Sequence, residues 1–494
     1  MYQTIIINFP GGIISPGELH NILVAAAKAR ITYVRFGLRQ QLLVDTTTYN
    51  IELFTKALDT LRVDYQTGSN RFPNIISSYP AEEIFIQKTW LTEGVYKDIL
   101  DDIDYKPSLK VNICDSDQSF TPMLTGNINW IASSQHEHYW HLIVRFPKTN
   151  VTYEWNQLCY TNHIARATKA LEDLIKAHPA EFIDNETASG EALFNLLDQE
   201  DFILKNAEQR ASLSSFNLPY YEGLNRYSNN KYWLGIYRRD ELFSIPFLKK
   251  ICQLCLDTKL GQLCCTSWKT IIIKGIGEAD KNLWNALLEE FEVNMRHAAN
   301  ELNFQVEDNC IEGLELKNFL VKHLSIDDTR TFGICFGIKT RKKSEIFSSI
   351  LIRKRHLIQF FGLKLLPVYD ILCAKDFNPN ERTGEIFSSG NPVFILPEQV
   401  RRAVFKFYKY RLSTLHPGSK NRVALPEETL KKDNEFLYQC NNCFTVYNER
   451  IGEIEQGIQP NTEFKDLPES YRCALCEETK DNFTKISQSD LLLL

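Results

Sequence analysis

Nowhere does this chain run apolar for the roughly 18 residues that a membrane-crossing helix needs. Its start, MYQTIIINFPGG, lacks a basic segment, a long apolar core and a small-residue cleavage site, so it reads as a first strand and not as a signal peptide. The terminal LLLL is too short to anchor anything, and a cytoplasmic location is the default expectation. Charge of one sign is also in short supply. Against 62 acidic residues stand 56 Lys and Arg, a net −6, which gives neither nucleic acid nor an anionic membrane an electrostatic claim as partner. Walker, nucleophile-elbow and H-E-x-x-H motifs are missing, which leaves the corresponding NTPase, hydrolase and metalloprotease classes without support.

What remains is a soluble-protein composition, 44% hydrophobic and 24% charged, with 30 Phe, 21 Tyr and 7 Trp to build large cores. A length of 494 residues allows two to four domains. Thirteen cysteines are many for a reducing compartment, where closely spaced pairs point to metal or catalysis before disulfides.

One pattern occurs twice. QTIIIN (3–8) reads as a strand, followed by a helix with Ser15 as N-cap, Pro16 at its first position and Glu18 completing a capping box. Leu19, Ile22, Leu23 and Ala26 form its apolar face. Strands ITYVRFG (31–37) and QLLVD (41–45) follow, then a helix over 50–61 with Leu53, Ala57 and Leu61 on one side. Later YWLGIY (232–237) reads as a strand, with a helix from Ser244 and Pro246, and strands QLCCTSW (262–268) and TIIIKGI (270–276). A long helix over 280–302 with Leu283, Leu287, Phe291, Met295 and Leu302 aligned closes the second unit. Two β-α-β-β-α units some 230 residues apart predict an internal duplication. Residues 106–158 and 348–373 read as strands, 163–209 as helices, and the polar stretch 413–433, with Pro417, Gly418 and Pro426, as a linker.

Near the end stand two C-x-x-C pairs, Cys440/Cys443 and Cys473/Cys476. Each can wrap one tight turn around a metal, and two such turns facing each other make a tetrahedral four-thiolate cage for iron or zinc. The surrounding segment, YQCNNCFTVYNERIGEIEQGIQPNTEFKDLPESYRCALCEETKDNF, resembles rubredoxin throughout, carrying Tyr438, Tyr447, Gly452, Gly457, Ile458, Pro460, Thr462, Phe464, Leu467, Pro468, Tyr471, Lys480 and Phe483 at family positions. The resemblance implies a single Fe(2+/3+) on four Cys thiolates, cycling one electron. It also shows departures: Phe444 and Glu477 replace glycines, Ala474 a proline and Tyr471 a tryptophan.

Over the larger region, ITYVRFGLRQQLLVD resembles the first half-repeat of the sirohaem-dependent nitrite and sulfite reductases, with Arg35, Arg39 and Gln40 at the signature. QLCCTSWKTIIIKG resembles the second half-repeat, with Lys269 where Arg39 stands in the first, and LKVNICDSDQSF…NINWIAS the following domain. By that resemblance Arg35, Arg39, Lys110, Arg145 and Lys269 are candidates for holding the carboxylates of a sirohaem. The family's C-x₅-C and C-x₃-C ligands to a 4Fe–4S cluster are absent, since no two cysteines stand six or four apart; Cys310 and Cys335 are each alone there. A cluster is therefore not expected, and the region reads as a reductase-like scaffold.

The expected fold class is α+β, with duplicated ferredoxin-like half-domains (βαββα), nitrite/sulfite reductase-like domains and a small C-terminal rubredoxin-like domain. The expected segments are 1–75, 80–225, 228–305, 306–412, a linker at 413–435 and 436–490. The expected function is electron transfer, leaning away from an enzyme, with a redox partner protein (a reductase or an NAD(P)H-dependent donor) docked on the scaffold. Two alternatives stay open: an active sirohaem oxidoreductase with a built-in rubredoxin donor, and a zinc-bound scaffold. Cys252/Cys255 and Cys264/Cys265 read as core packing, His136, His138 and His141 as an exposed loop, and Gly275-Ile-Gly277 as a tight turn.

Overall fold

The duplicated pattern folds as two interleaved sheets. A computed structural model describes residues 2–415 and 436–487, apart from residues 69, 87–88, 212, 214, 229, 342–345, 361–362, 382–383 and 454–455. These form two compact units, Met1–Leu415 and His416–Leu494.

The first half-repeat contains β1 (Tyr2–Asn8), β2 (Ile13–Ile14), α1 (Pro16–Lys28), β3 (Tyr33–Phe36), β4 (Gln41–Thr47), α2 (Thr48–Leu61) and β5 (Gln66–Thr67). Ser15 caps α1 as its sequence predicts, its Oγ accepting the Glu18 amide at 3.2 Å. In α2 the inward stripe differs from the predicted one: Phe54 and Leu58 are buried and Leu53 and Leu61 are exposed. The predicted stripe was rotated off the core by one residue, and the aromatic Phe54 has more area to bury.

The chain then builds β6 (Ile76–Ser77), α3 (Glu93–Asp102), β7 (Val111–Cys114), β8 (Ile128–Ala132), β9 (Tyr139–Arg145), β10 (Thr152–Glu154) and β11 (Gln157–Tyr160). Helices α4 (Ile164–Ala177), α5 (Pro179–Phe182) and α6 (Gly190–Leu196) and β12 (Leu204–Asn206) complete this part. Its sheet runs β12-β11-β9-β8-β7-β6, with β10 on β9, around buried Trp130, Trp140 and Phe146.

The second half-repeat has β13 (Gly223–Ser228), β14 (Lys231–Ile236), β15 (Phe243–Ser244), α7 (Ile245–Asp257), β16 (Leu263–Cys265), β17 (Ile271–Gly277), α8 (Lys281–Glu290) and α9 (Ala299–Leu302). The single helix expected over 280–302 stops at Glu290. Glu292 turns left-handed (φ 49°), and the Val293 amide returns to the Leu288 carbonyl at 2.9 Å, a helix-ending bond. Trp284, Leu287 and Leu288 face inward, and Leu283 outward.

Each half-repeat lends a short strand to the other. The sheets run β15-β3-β4-β1-β5 and β13-β14-β17-β16-β2, so β15 pairs with β3 and β2 with β16. One core serves both, with Leu19, Ile22 and Leu23 of α1 packed in the same cluster as Leu248, Ile251 and Cys255 of α7.

The last part of this unit has β18 (Phe304–Val306), α10 (Ile311–Ile326), β19 (Phe336–Lys339), β20 (Ile350–Phe360), β21 (Leu363–Ala374), β22 (Gly384–Asn391) and α11 (Leu396–Leu415). The sheet is parallel through β18-β19-β20 and antiparallel through β21-β22. The expected linker begins inside α11, and its residues 416–435 lie outside the described residues.

The small unit holds β23 (Phe436–Cys440), β24 (Val446–Tyr447) and β25 (Phe483–Ser487) in the order β24-β23-β25. No helix among the described residues is long and apolar enough to cross a membrane.

Candidate metal centre

The two C-x-x-C turns are built alike. The Cys440 amide donates to Thr445 O and the Phe444 amide to Cys440 O; the Cys473 amide donates to Glu478 O and the Glu477 amide to Cys473 O, with N···O distances of 2.8 to 2.9 Å. Each turn closes because the residue after its second cysteine is left-handed, Phe444 at φ 61° and Glu477 at φ 60°. Side chains with a Cβ are strained there, by about 1 kcal/mol or more. Gly452 (φ 66°) bends the intervening loop where a Cβ would lie 2.5 Å from the Gln459 carbonyl oxygen.

These turns bring four sulfurs together. Cys440 Sγ lies 3.5 Å from Cys476 Sγ and Cys443 Sγ 3.4 Å from Cys473 Sγ, and all four lie within 4.8 Å of one another. Sulfurs ~2.3 Å from a shared tetrahedral centre would stand ~3.8 Å apart, so the cage fits a single metal ion. Among the described residues this is the one such gathering of metal-binding side chains. The proton energetics also ask for a cation. The Thr445 hydroxyl and amide pull the Cys443 thiol down to about 6. The Glu478 amide favours the Cys476 thiolate, yet burial and the neighbouring sulfurs push that thiol up to about 12. A positive ion at the centre removes the conflict by stabilising all four thiolates.

Aromatic residues that flank the cysteines in the chain pack on one another. Tyr438 stacks on Phe464 at 4.0 Å, and Phe483 meets Phe464 and Tyr471 at 5.4 and 5.8 Å. Tyr447 and Tyr471 turn their hydroxyls outward, to Thr462 O and Glu453 Oε1. Lys480 braces the cage through the carbonyls of Lys465 and Leu467. Among the described residues Tyr447, Ile458, Phe464, Leu467 and Tyr471 make up the buried cluster, a small core of the kind that a metal commonly staples. Metal binding is then part of the folding energy.

The residues expected to hold sirohaem carboxylates lie apart from this centre in sequence, in the large unit. The Arg39 guanidinium is buried, donating to Asn74 O at 2.6 and 2.9 Å and to Val111 O at 3.0 Å. Gln40 exchanges two hydrogen bonds with the Ser77 backbone. Lys269 is buried against Glu241 (2.7 Å), the Glu307 carbonyl (3.3 Å) and Asp308 (3.4 Å). Arg35 pairs with Asp45 at 3.5 Å, and Arg145 donates to the carbonyls of Gly126 and Thr125. Lys110 is half-buried at the entry to β7, its carbonyl receiving the Asn127 and Ile128 amides. Three of the Arg39 bonds go to backbone carbonyls, and Lys269 lies between the Glu241 and Asp308 carboxylates.

The half-repeat alignment also needs a correction. In the first turn Gln40 N bonds Gly37 O and in the second Lys269 N bonds Thr266 O, with left-handed φ of 57° and 58°. Lys269 therefore corresponds to Gln40, and Trp268 takes the place of Arg39, its indole N–H donating to Phe120 O at 2.7 Å. The sequence alignment slipped by one because a lysine looks more like an arginine than a tryptophan does; the turn register was not visible in composition.

Of the remaining sequence candidates the four cysteines pack as expected, while His141 and Gly275 depart from the exposed loop and the tight turn expected of them, both lying in strands. Cys252, Cys255, Cys264 and Cys265 are buried, and burial pushes the Cys252 thiol up to about 12. His141 is buried in β9 beside Glu154, whereas His136 and His138 lie in the turn before it and contact Lys205 and Trp90. Gly275 bends β17 at φ 82°. What the sequence reading missed is a buried network in which Lys317, lowered by burial to about 8, bonds Tyr237 Oη at 2.5 Å, while Glu222 takes the His297 ring at 2.6 Å. No spacing signals it, because its members come from four separated segments.

Comparison with known proteins separates the two units. Residues 437–483 match the rubredoxin family. Over 49 residues the chain is 49% identical to Probable Rubredoxin-2 of Methanocaldococcus jannaschii, covering 10% of this chain and 87% of that protein. It is 33% identical over 72 residues to the anaerobic nitric oxide reductase flavorubredoxin of Aliivibrio fischeri, 15% of this chain, and spans about a seventh (14%) of that relative's length. The solved structure of the Mycobacterium tuberculosis NirA protein matches across 84% of both chains with a TM-score of 0.63 at 14% identity, a likeness of fold. The expected C-terminal rubredoxin domain is found, and the α+β region that precedes it has a fold like that of the NirA protein.

Proposed function

The chain belongs to the rubredoxin family through its C-terminal unit, and on that premise we propose that it is an electron carrier with one iron held by Cys440, Cys443, Cys473 and Cys476. The observation that carries the reading is the four-sulfur cage in a unit that also holds a packed aromatic cluster. Four thiolates favour one-electron cycling of the metal without bond making, and their surroundings tune its potential. The large unit serves as a scaffold that docks a redox partner, a reductase or an NAD(P)H-dependent donor, in nitrite or sulfite metabolism. The support for this is the likeness of fold together with basic signature residues turned to structural tasks.

The test is metal analysis with a visible spectrum of full-length protein as isolated from an iron-replete, sirohaem-producing host. The expected result is one iron per chain and ferric-thiolate bands that bleach on reduction, with no Soret band. Stoichiometric zinc and a colourless protein would overturn the carrier reading in favour of a scaffold; Soret and Q bands would assign the large unit a tetrapyrrole.

A further inference from the structure

We propose that the outward face of α11 is the docking surface for an acidic protein electron carrier, an inference that rests on the electron-transfer reading above. Helix α11 carries two stripes. Leu396, Val400, Ala403, Val404 and Phe407 face the core of their sheet. Opposite them run Glu398, Arg402, Phe405, Lys409 and Leu412, spaced i, i+4, i+7, i+11 and i+14 along one exposed line. A helix that merely covers its sheet shows a polar outer face. Here Phe405 is 54% and Leu412 59% exposed, and Phe394, two residues before the helix, is 76% exposed.

Charge selects the partner. Residues 396–415 contain five cations, Arg401, Arg402, Lys406, Lys409 and Arg411, and one acid, Glu398. Glu398 is shared by Arg401 and Arg402 at 2.7 and 3.0 Å. The Arg401 guanidinium sits 5.3 Å over the Phe405 ring, and Lys409 has no acidic partner among the described residues. An exposed aromatic and aliphatic centre rimmed by Arg and Lys has the composition of a protein-docking patch, and its surplus positive charge steers an acidic partner to it. A bilayer is a poorer match, since the main apolar stripe of α11 is already buried in its own domain and cannot insert. A carrier held here shares a chain with the metal unit, which raises the frequency of their encounter.

The experiment uses the iron-loaded full-length chain and, as probe, a purified reduced flavodoxin of low pI, with the bleaching of the ferric site followed by stopped flow. For the wild type the second-order rate should fall steeply between 50 and 300 mM salt. In Phe405→Glu/Lys409→Glu it should drop at least tenfold, and in Lys409→Gln alone severalfold, while the rate with dithionite and the circular dichroism stay unchanged. Equal flavodoxin rates in wild type and both variants would overturn the assignment. So would a wild-type rate indifferent to salt, or a loss confined to binding of phosphatidylserine vesicles. A site that even dithionite cannot bleach would instead bring down the electron-transfer reading itself, so the two failures are distinguishable.

Discussion

Two C-x-x-C pairs in this molecule share a spacing and nothing else. Cys252 and Cys255 lie on α7, where i and i+3 share a face, and both point into the core between the half-repeats. Cys440 and Cys443 lie in a turn closed by a left-handed residue, and a second such turn delivers Cys473 and Cys476 within 4.8 Å. The first pair sits in apolar surroundings that keep its thiols protonated; in the second, the Thr445 hydroxyl and amide favour the thiolate of Cys443. Backbone conformation, and not cysteine spacing, decides between a packing thiol and a ligand. The same contrast separates the units as wholes: the large one buries its cysteines in apolar cores, and the small one gathers four of them around a common centre.

The sharpest way to break the comparison is to exchange single thiols. Cys473→Ser should reduce bound metal from one equivalent to under about a tenth and unfold the small unit, because binding and folding are one event there. Cys255→Ser should leave metal content at one equivalent and cost the large unit only about 1–3 kcal/mol, read from urea unfolding. Retained metal in the first variant, or metal loss in the second, would erase the distinction.

A smaller effect tests whether the large unit's cations are structural. Lys269→Ala strands Glu241 in the interior and should destabilise this unit by about 3–5 kcal/mol in the same unfolding experiment. A variant as stable as the wild type would free Lys269 for some other task. The least effect is expected from Phe444→Gly, which relieves a left-handed side chain. It should raise the small unit's stability by about 1 kcal/mol with metal content unchanged, measured by thermal unfolding.

How much of this could be read from the sequence differs between elements for definite reasons. The Ser15 cap, the duplication and the four thiolates were legible because each depends on near neighbours in the chain. The inward face of α2 and the end of α8 were not: Phe54 competes with Leu53 only once the sheet is in place, and Glu292 gives no compositional sign of a left-handed turn. Lys269 was misaligned with Arg39 for the same reason, since only turn register assigns Trp268 to that position. The Lys317–Tyr237 and Glu222–His297 contacts join distant segments and leave no local trace.

The traded strands β2 and β15 have a consequence for how the chain is made. Val34 finds its partner in Phe243, and Ile14 in Leu263, more than two hundred residues further along. At about 5–20 residues per second, a ribosome needs roughly 10–50 s to supply the second member of each pair. Throughout that interval the edge of β3 stays open to wrong pairing. Synthesis therefore passes through a window in which the nascent first half is finished in sequence and unfinished in structure.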